Sequence, residues 1–255
     1  MRADWRPVAG ALIALAVWEA VPRAGLVSST DLPPVSSVFR VLVREAGTGE
    51  YWSAIGDTVW AWLLGLLIAA AAAIGLGFAL ALVPAVRAFT TSSVEFLRPI
   101  PSVALIPLAV IVYGTGLGST LLLVVYAAFW QIYVQVLAGV ADVDPVADET
   151  ARSFRFGRWG RIRHVTWPSA LPYVLTGVRL GAAVALILAV TAELVIGAPG
   201  LGQQIAVARS GTEPALVYAL VFTTGVLGVL VNVGVRTGER RLLCWHASVR
   251  REVPV

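Results

Sequence analysis

Charged side chains are scarce in this 255-residue chain, and they collect in one place. Asp144, Asp148, Glu149, Arg152, Arg155, Arg158, Arg161 and Arg163 all fall between two long apolar runs. Asp144 stands before Pro145, a pairing of helix cap with first helical residue. Asp148 and Glu149 follow in the first turns, where negative charge suits the helix dipole. Arginines then recur every three residues from 152 to 161, and Gly157 and Gly160 break or bend the helix. The pattern predicts two short helices joined by a bend, with Pro168 opening the next apolar run. Its chemistry is charge recognition. A protruding helix pair of this kind suits a groove on a soluble partner.

The bond-making residues are poorly placed for catalysis. His164, His246 and Cys244 fall outside the apolar runs, so no nucleophile and base meet at membrane depth, which argues against a membrane-embedded hydrolase. A single cysteine allows no intrachain disulfide. Lysine is absent, which excludes a phosphate-binding loop of the G-x-x-x-x-G-K type. The glycine-rich stretch from Gly197 to Gly202 therefore reads as a turn after an apolar helix. Ionisable residues inside apolar runs are Arg179 and Glu193, with Glu95 and Arg98 near the start of another. Charge in a bilayer is costly, so such groups face the bundle interior or water. Two readings stay open. Arg98 and Arg179 line an anion path, or Arg98 and Glu95 snorkel to the interface while Arg179 and Glu193 find partners on neighbouring helices. Roughly 21 Å of helix separates 179 from 193, so those two do not pair with each other.

The elements that position these groups are membrane spans. Hydrophobic residues make up 58% of the chain and charged residues 13%, with a mean hydropathy of +0.82. A soluble domain of this size needs more charge on its exterior. The apolar runs lack period-2 alternation, so helices are expected rather than barrel strands. Six runs are placed: 7–21, 58–83, 96–113, 119–140, 171–196 and 215–235. The third carries Pro99, Pro101 and Pro107, and proline removes an amide donor and kinks a helix. That predicts either a broken helix lining a path or a structural kink. Residues 34–46 read as a short amphipathic helix on the outer surface, capped by Ser36 or Ser37, with Val38, Phe39, Leu42, Val43 and Ala46 on one face.

Arginine counts set the orientation. Arg2, Arg6, Arg87, the five loop arginines, Arg236, Arg240, Arg241, Arg250 and Arg251 share one side. Arg23, Arg40, Arg44 and Arg209 lie on the other. The larger set marks the cytoplasm, so both termini and the 141–168 loop are expected inside. Trp5, Trp52 and Trp245 sit near the predicted interfaces. This bias also accounts for the basic balance without nucleic acid.

The order Glu149-Thr150-Ala151, then Val165-Thr166-Trp167-Pro168, resembles the EAA loop of ABC importer permeases. Leu32-Pro33-Pro34-Val35-Ser36, Phe96 to Pro101, Leu105 to Ala109, Thr176-Gly177-Val178-Arg179 and Ala192-Glu193 are similar to the nitrate, sulfonate and taurine subgroup. The resemblance covers about 31–245. It departs at Thr150, where alanine is usual, and at Arg155, where the pattern has glycine; the bend is expected to have moved to Gly157.

The resemblance implies an all-α type I importer permease with about six transmembrane helices. Residues 1–53 would hold the first span and the external helix, 54–240 the transport core, and 241–255 a cytoplasmic tail. The implied partners are a second copy of the chain, two cytoplasmic ATPase subunits carrying ATP and Mg, an extracytoplasmic binding protein and the lipid membrane. The chain itself would bind no cofactor and perform no ATP chemistry. Asp148, Glu149, Thr150, Ala151, Arg152, Arg155, Gly157 and Pro168 are the coupling-loop candidates. Arg98, Pro99, Pro101, Arg179 and Glu193 are the translocation-path candidates. An ion-driven secondary transporter is the remaining alternative, disfavoured because no internal repeat or second broken helix is visible.

Overall fold

The computed structural model describes residues 6–82 and 92–244. Arg2, Trp5, Arg87, Trp245, His246, Arg250, Arg251 and most of the predicted tail lie outside the described residues. Every regular element described is helical. The helices of eight or more residues are, in chain order, α1 (Arg6–Arg23), α2 (Val35–Glu45), α3 (Gly49–Leu82), α4 (Ile106–Tyr113), α5 (Leu117–Ala141), α6 (Pro145–Ser153), α7 (Arg158–Ile196), α8 (Leu201–Ser210) and α9 (Pro214–Leu242). Among the described residues, four helices are long and apolar enough to cross a membrane: α3, α5, α7 and α9.

The core is the three-helix contact of α3, α5 and α7. Leu66, Ala69 and Ala73 of α3 meet Leu123, Val124, Ala128 and Ile132 of α5, and Ala182, Ala185 and Ala189 of α7 close the third side. Small residues suit this site, because helices in lipid gain by close backbone approach. A Cβ at Gly177 would sit 3.0 Å from the Ile132 Cα, and one at Gly139 would sit 3.1 Å from the Ala170 Cα. Either would push α5 and α7 apart. Polar pins fix register within this apolar packing. The Trp62 indole N–H donates to the Ala182 carbonyl at 2.9 Å, and Tyr51 and Thr223 share a hydrogen bond of 2.9 Å between α3 and α9.

The third apolar run is broken rather than a single kinked helix, one of its two expected forms. A 3-10 turn at Ser102–Leu105 precedes the eight-residue α4, and Pro107 sits in the first turn of α4, where its missing N–H costs nothing. The fifth run does not begin at Pro168. Helix continues from Arg158 to Ile196, and a π segment at Ile162–Thr166 absorbs the proline. Helix α2 is not capped by Ser36 or Ser37; Pro34 occupies the cap position. Instead Glu19 of α1 accepts from the Ser36 amide at 2.9 Å and the Ser36 hydroxyl at 2.8 Å, placing a carboxylate at the start of α2. The face of α2 is also narrower than its apolar pattern: Val35 and Val38 are buried against α9, while Phe39 and Val43 stay exposed.

Candidate functional site

The loop between α5 and α7 is built as two helices pinned together. The Asp144 carboxylate accepts from the Val146 amide at 2.9 Å, which starts α6. Asp148, one turn on, pairs with Arg152 at 2.9 Å on its own helix and with Arg161 at 3.2 Å on the first turn of α7. One carboxylate thus ties the two helices. Ala151 is buried, while Glu149 and Thr150 are exposed, with the Thr150 hydroxyl donating to the Val146 carbonyl at 2.7 Å.

Between the helices the chain turns on Arg155. Its φ is 57°, in the left-handed region that favours glycine. The Phe156 amide donates to the Ala151 carbonyl at 3.0 Å and the Arg155 amide to the Arg152 carbonyl at 2.9 Å. This crossed pair of bonds is a Schellman ending, with Arg155 in the residue position glycine usually takes. The bend therefore has not moved to Gly157, whose φ of −63° and ψ of 168° are ordinary extended backbone. Arg155 carries the left-handed turn itself.

The outward surface of the loop is mixed. Arg155, Arg158 and Arg163 are exposed. So are several apolar side chains, among them Val146, Phe156, and Phe154 and Trp159 at 76% each. Exposed aromatic side chains thus stand among charged ones on this loop.

The path candidates separate. Arg98 and Pro99 are exposed, in the turn after a helical stretch at 92–97, and Pro101 precedes the 3-10 turn. Arg179 lies on α7 beside a cavity of about 520 Å³ between α7 and α9, and its guanidinium is 3.8 Å from Glu239 of α9. Glu193 lies elsewhere. It is fully buried and is not among the residues lining that cavity.

Glu193 instead organises the glycine-rich turn. Its Oε2 accepts from the Thr58 hydroxyl at 2.8 Å and from the Gly202 amide at 3.0 Å, while Thr58 accepts from the Leu201 amide at 2.9 Å. The first amides of α8 are satisfied in this way by α3 and α7, as an unpaired helix start requires. Glycine is obligatory here: φ at Gly200 is 147°, and a Cβ there would overlap the Glu193 carboxylate. Sequence reasoning missed Thr58, Gly200 and Gly202 as partners of Glu193. The signal available was a buried acid a few residues before a Gly-x-Gly turn.

Residues 71–243 match the family model described as binding-protein-dependent transport system inner membrane component. The chain is 32% identical over 243 residues to the taurine transport system permease protein TauC of Escherichia coli (strain K12), covering 93% of this chain and 88% of the relative. It is 31% identical over 239 residues to the putative aliphatic sulfonates transport permease protein SsuC of Bacillus subtilis (strain 168), covering 92% and 86%. Among solved structures, an inward-facing conformation of the MetNI methionine ABC transporter superposes with a TM-score of 0.64 at 17% identity, over 74% of this chain and 94% of that one.

Proposed function

We propose a transport role that starts from one fact: the chain belongs to the family of binding-protein-dependent transport system inner membrane components. It is a multi-pass membrane permease subunit of an ATP-driven importer, with the type I permease fold. The specific reading is that it carries small organosulfonates of the taurine and alkanesulfonate kind inward. Support comes from relatives named for taurine and aliphatic sulfonates that match over most of their length.

In this reading two copies pair across a central path. Helix α9 supports that arrangement, since only 17% of its apolar window is buried within the chain, against 44% for α7. In this reading the second copy and lipid share the open face. A binding protein delivers solute to the outer side, near α2 and α8, and both termini lie in the cytoplasm. Two ATPase subunits hold ATP and Mg; this chain holds neither and makes no bonds. The arginine bias and the loop's exposed surface support that orientation.

The α6–α7 corner is the coupling element. The observation that carries this is the pairing of rigidity with exposure. Asp148 and the Schellman turn fix the corner, while Phe154 and Trp159 project from it. Such a corner transmits a partner's movement directly into α7, because α7 runs unbroken from Arg158 to Ile196 in the core. The solute then moves by alternating access, driven by what the partners prefer to bind. Glu193 serves this machine from within, by holding α8 to α3 and α7.

The test is uptake of radiolabelled taurine and methanesulfonate by proteoliposomes containing this chain, its ATPase and its binding protein. ATP inside the cytoplasm-equivalent compartment should drive uptake, and native mass spectrometry should count two copies of the chain. Uptake that proceeds without ATP on an ion gradient would reject the reading. One copy paired with a different permease would reject the homodimer alone.

A further inference from the structure

The cavity between α7 and α9 is mostly apolar, with a few polar side chains at its two ends. Arg179, Thr191, Thr224 and Asn232 line it among apolar side chains. Gly225 and Gly228 of α9 leave its floor bare of side chains: a Cβ at Gly228 would meet nothing nearer than 3.7 Å, and one at Gly225 nothing within 4 Å. Because α7 and α9 run antiparallel here, Thr191 and Thr224 mark one end of the groove and Arg179 and Asn232 the other.

The two ends differ in what they donate. The Thr191 hydroxyl donates to the Ile187 carbonyl and the Thr224 hydroxyl to the Val221 carbonyl, both at 2.7 Å. Their protons are spent on their own helices. At the other end stand the guanidinium of Arg179, 42% exposed, and the amide of Asn232, also exposed. Glu239 approaches Arg179 only to 3.8 Å, too far for a hydrogen-bonded pair. Arg236, one turn before Glu239 on α9, adds a second positive charge to this end of the helix.

We infer that this cavity is a low-affinity, anion-selective waypoint of the transport path, where Arg179 and Asn232 meet the sulfonate oxygens of the passing solute. The inference rests on the import reading above and assigns that solute's anionic end to one place. The geometry matches the chemistry. Guanidinium presents several N–H donors in a fixed fork, which suits an oxyanion. Glu239 keeps the site weak, and a site on a path must release what it binds. The loose Arg179–Glu239 pair is also the resting partner to which arginine returns when the solute leaves.

The probe is a cysteine at Ala183, which is exposed in the same cavity one turn from Arg179. It is introduced with Cys244→Ser into the assembled transporter. Its thiol is reacted with 2-sulfonatoethyl methanethiosulfonate, itself a small sulfonate, and with the cationic trimethylammonioethyl analogue. The sulfonate-to-ammonium rate ratio should fall about tenfold on Arg179→Gln, the scale of one unit charge about one helical turn away. Arg179→Lys should preserve the ratio, which separates charge from misfolding. Excess methanesulfonate should slow the sulfonate reagent only where residue 179 is cationic. An unchanged ratio in Arg179→Gln overturns the inference. So does a thiol that neither reagent reaches, because the groove is then filled by lipid or by the second copy. Labelling needs neither ATP nor uptake, so failure here and failure of the import reading are separate results.

Discussion

Gly202→Ala tests the clamp around Glu193 most sharply. A Cβ at Gly202 would lie 2.6 Å from the Leu194 nitrogen and 2.7 Å from the Glu193 Cβ, and would overlap the Val190 carbonyl oxygen. Two of these are backbone atoms inside α7 and cannot rotate away. Ordinary contact begins near 3.4 Å, so α8 must retreat by at least ~0.8 Å (3.4 minus 2.6). That retreat stretches the 3.0 Å bond from the Gly202 amide to Glu193 to about 3.8 Å, past hydrogen-bond range. Overpacking of this kind costs about 1–3 kcal/mol, and a buried donor left unsatisfied about 1–3 kcal/mol more. The sum is about 4 kcal/mol. At 2–4 °C per kcal/mol for a chain of this size, the melting midpoint of the purified protein should drop by roughly 10 °C. Gly75→Ala in α3 is the control, since a Cβ there meets nothing within 4 Å; it should leave the midpoint unchanged or slightly raised. A Gly202→Ala midpoint within about 2 °C of the parent would refute the steric argument.

Two further outcomes are expected. Arg155→Gly should keep the loop's thermal stability or raise it, by relieving a left-handed residue, whereas Arg155→Val should cost about 1–2 kcal/mol in the same melt, because β-branching strains φ at 57°; equal midpoints for the two variants would count against the turn assignment. In a Cys244→Ser background, a cysteine at Ser153 should label with an impermeant maleimide only after cells are permeabilised, while one at Ser210 should label in intact cells; the reverse pattern would overturn the arginine-based orientation.

What the sequence made legible was local. The Asp144–Pro145 start of α6 could be read directly, because cap and first turn are adjacent in the chain. The long apolar runs became α3, α5, α7 and α9, because lipid leaves a spanning backbone few other choices. What stayed hidden depended on distant partners or on exceptions to residue preference. Glu193 finds Thr58 across 135 positions, and Glu19 reaches Ser36 across 17. Neither pairing leaves a periodic trace. Arg155 holds a conformation that residue statistics reserve for glycine, so the bend was expected two residues too late. Pro168 reads as a helix start by every local rule, and only the π segment before it lets α7 run through. That continuity joins the loop corner to the core through one continuous helix.

The central claim is that this corner couples an ATPase to the spans, and the double variant Glu149→Arg with Ala151→Trp tests it most directly. Glu149 is exposed and Ala151 is buried, so the pair alters the outer face of α6 and its seating together. The charge reversal near the helix start costs only about 0.3–1 kcal/mol, so insertion in the membrane should survive. Co-purification of the ATPase with the variant, measured beside ATP-driven uptake, should show the ATPase lost or weakened and uptake abolished. ATPase bound at the parent level, with uptake at the parent rate, would contradict the account.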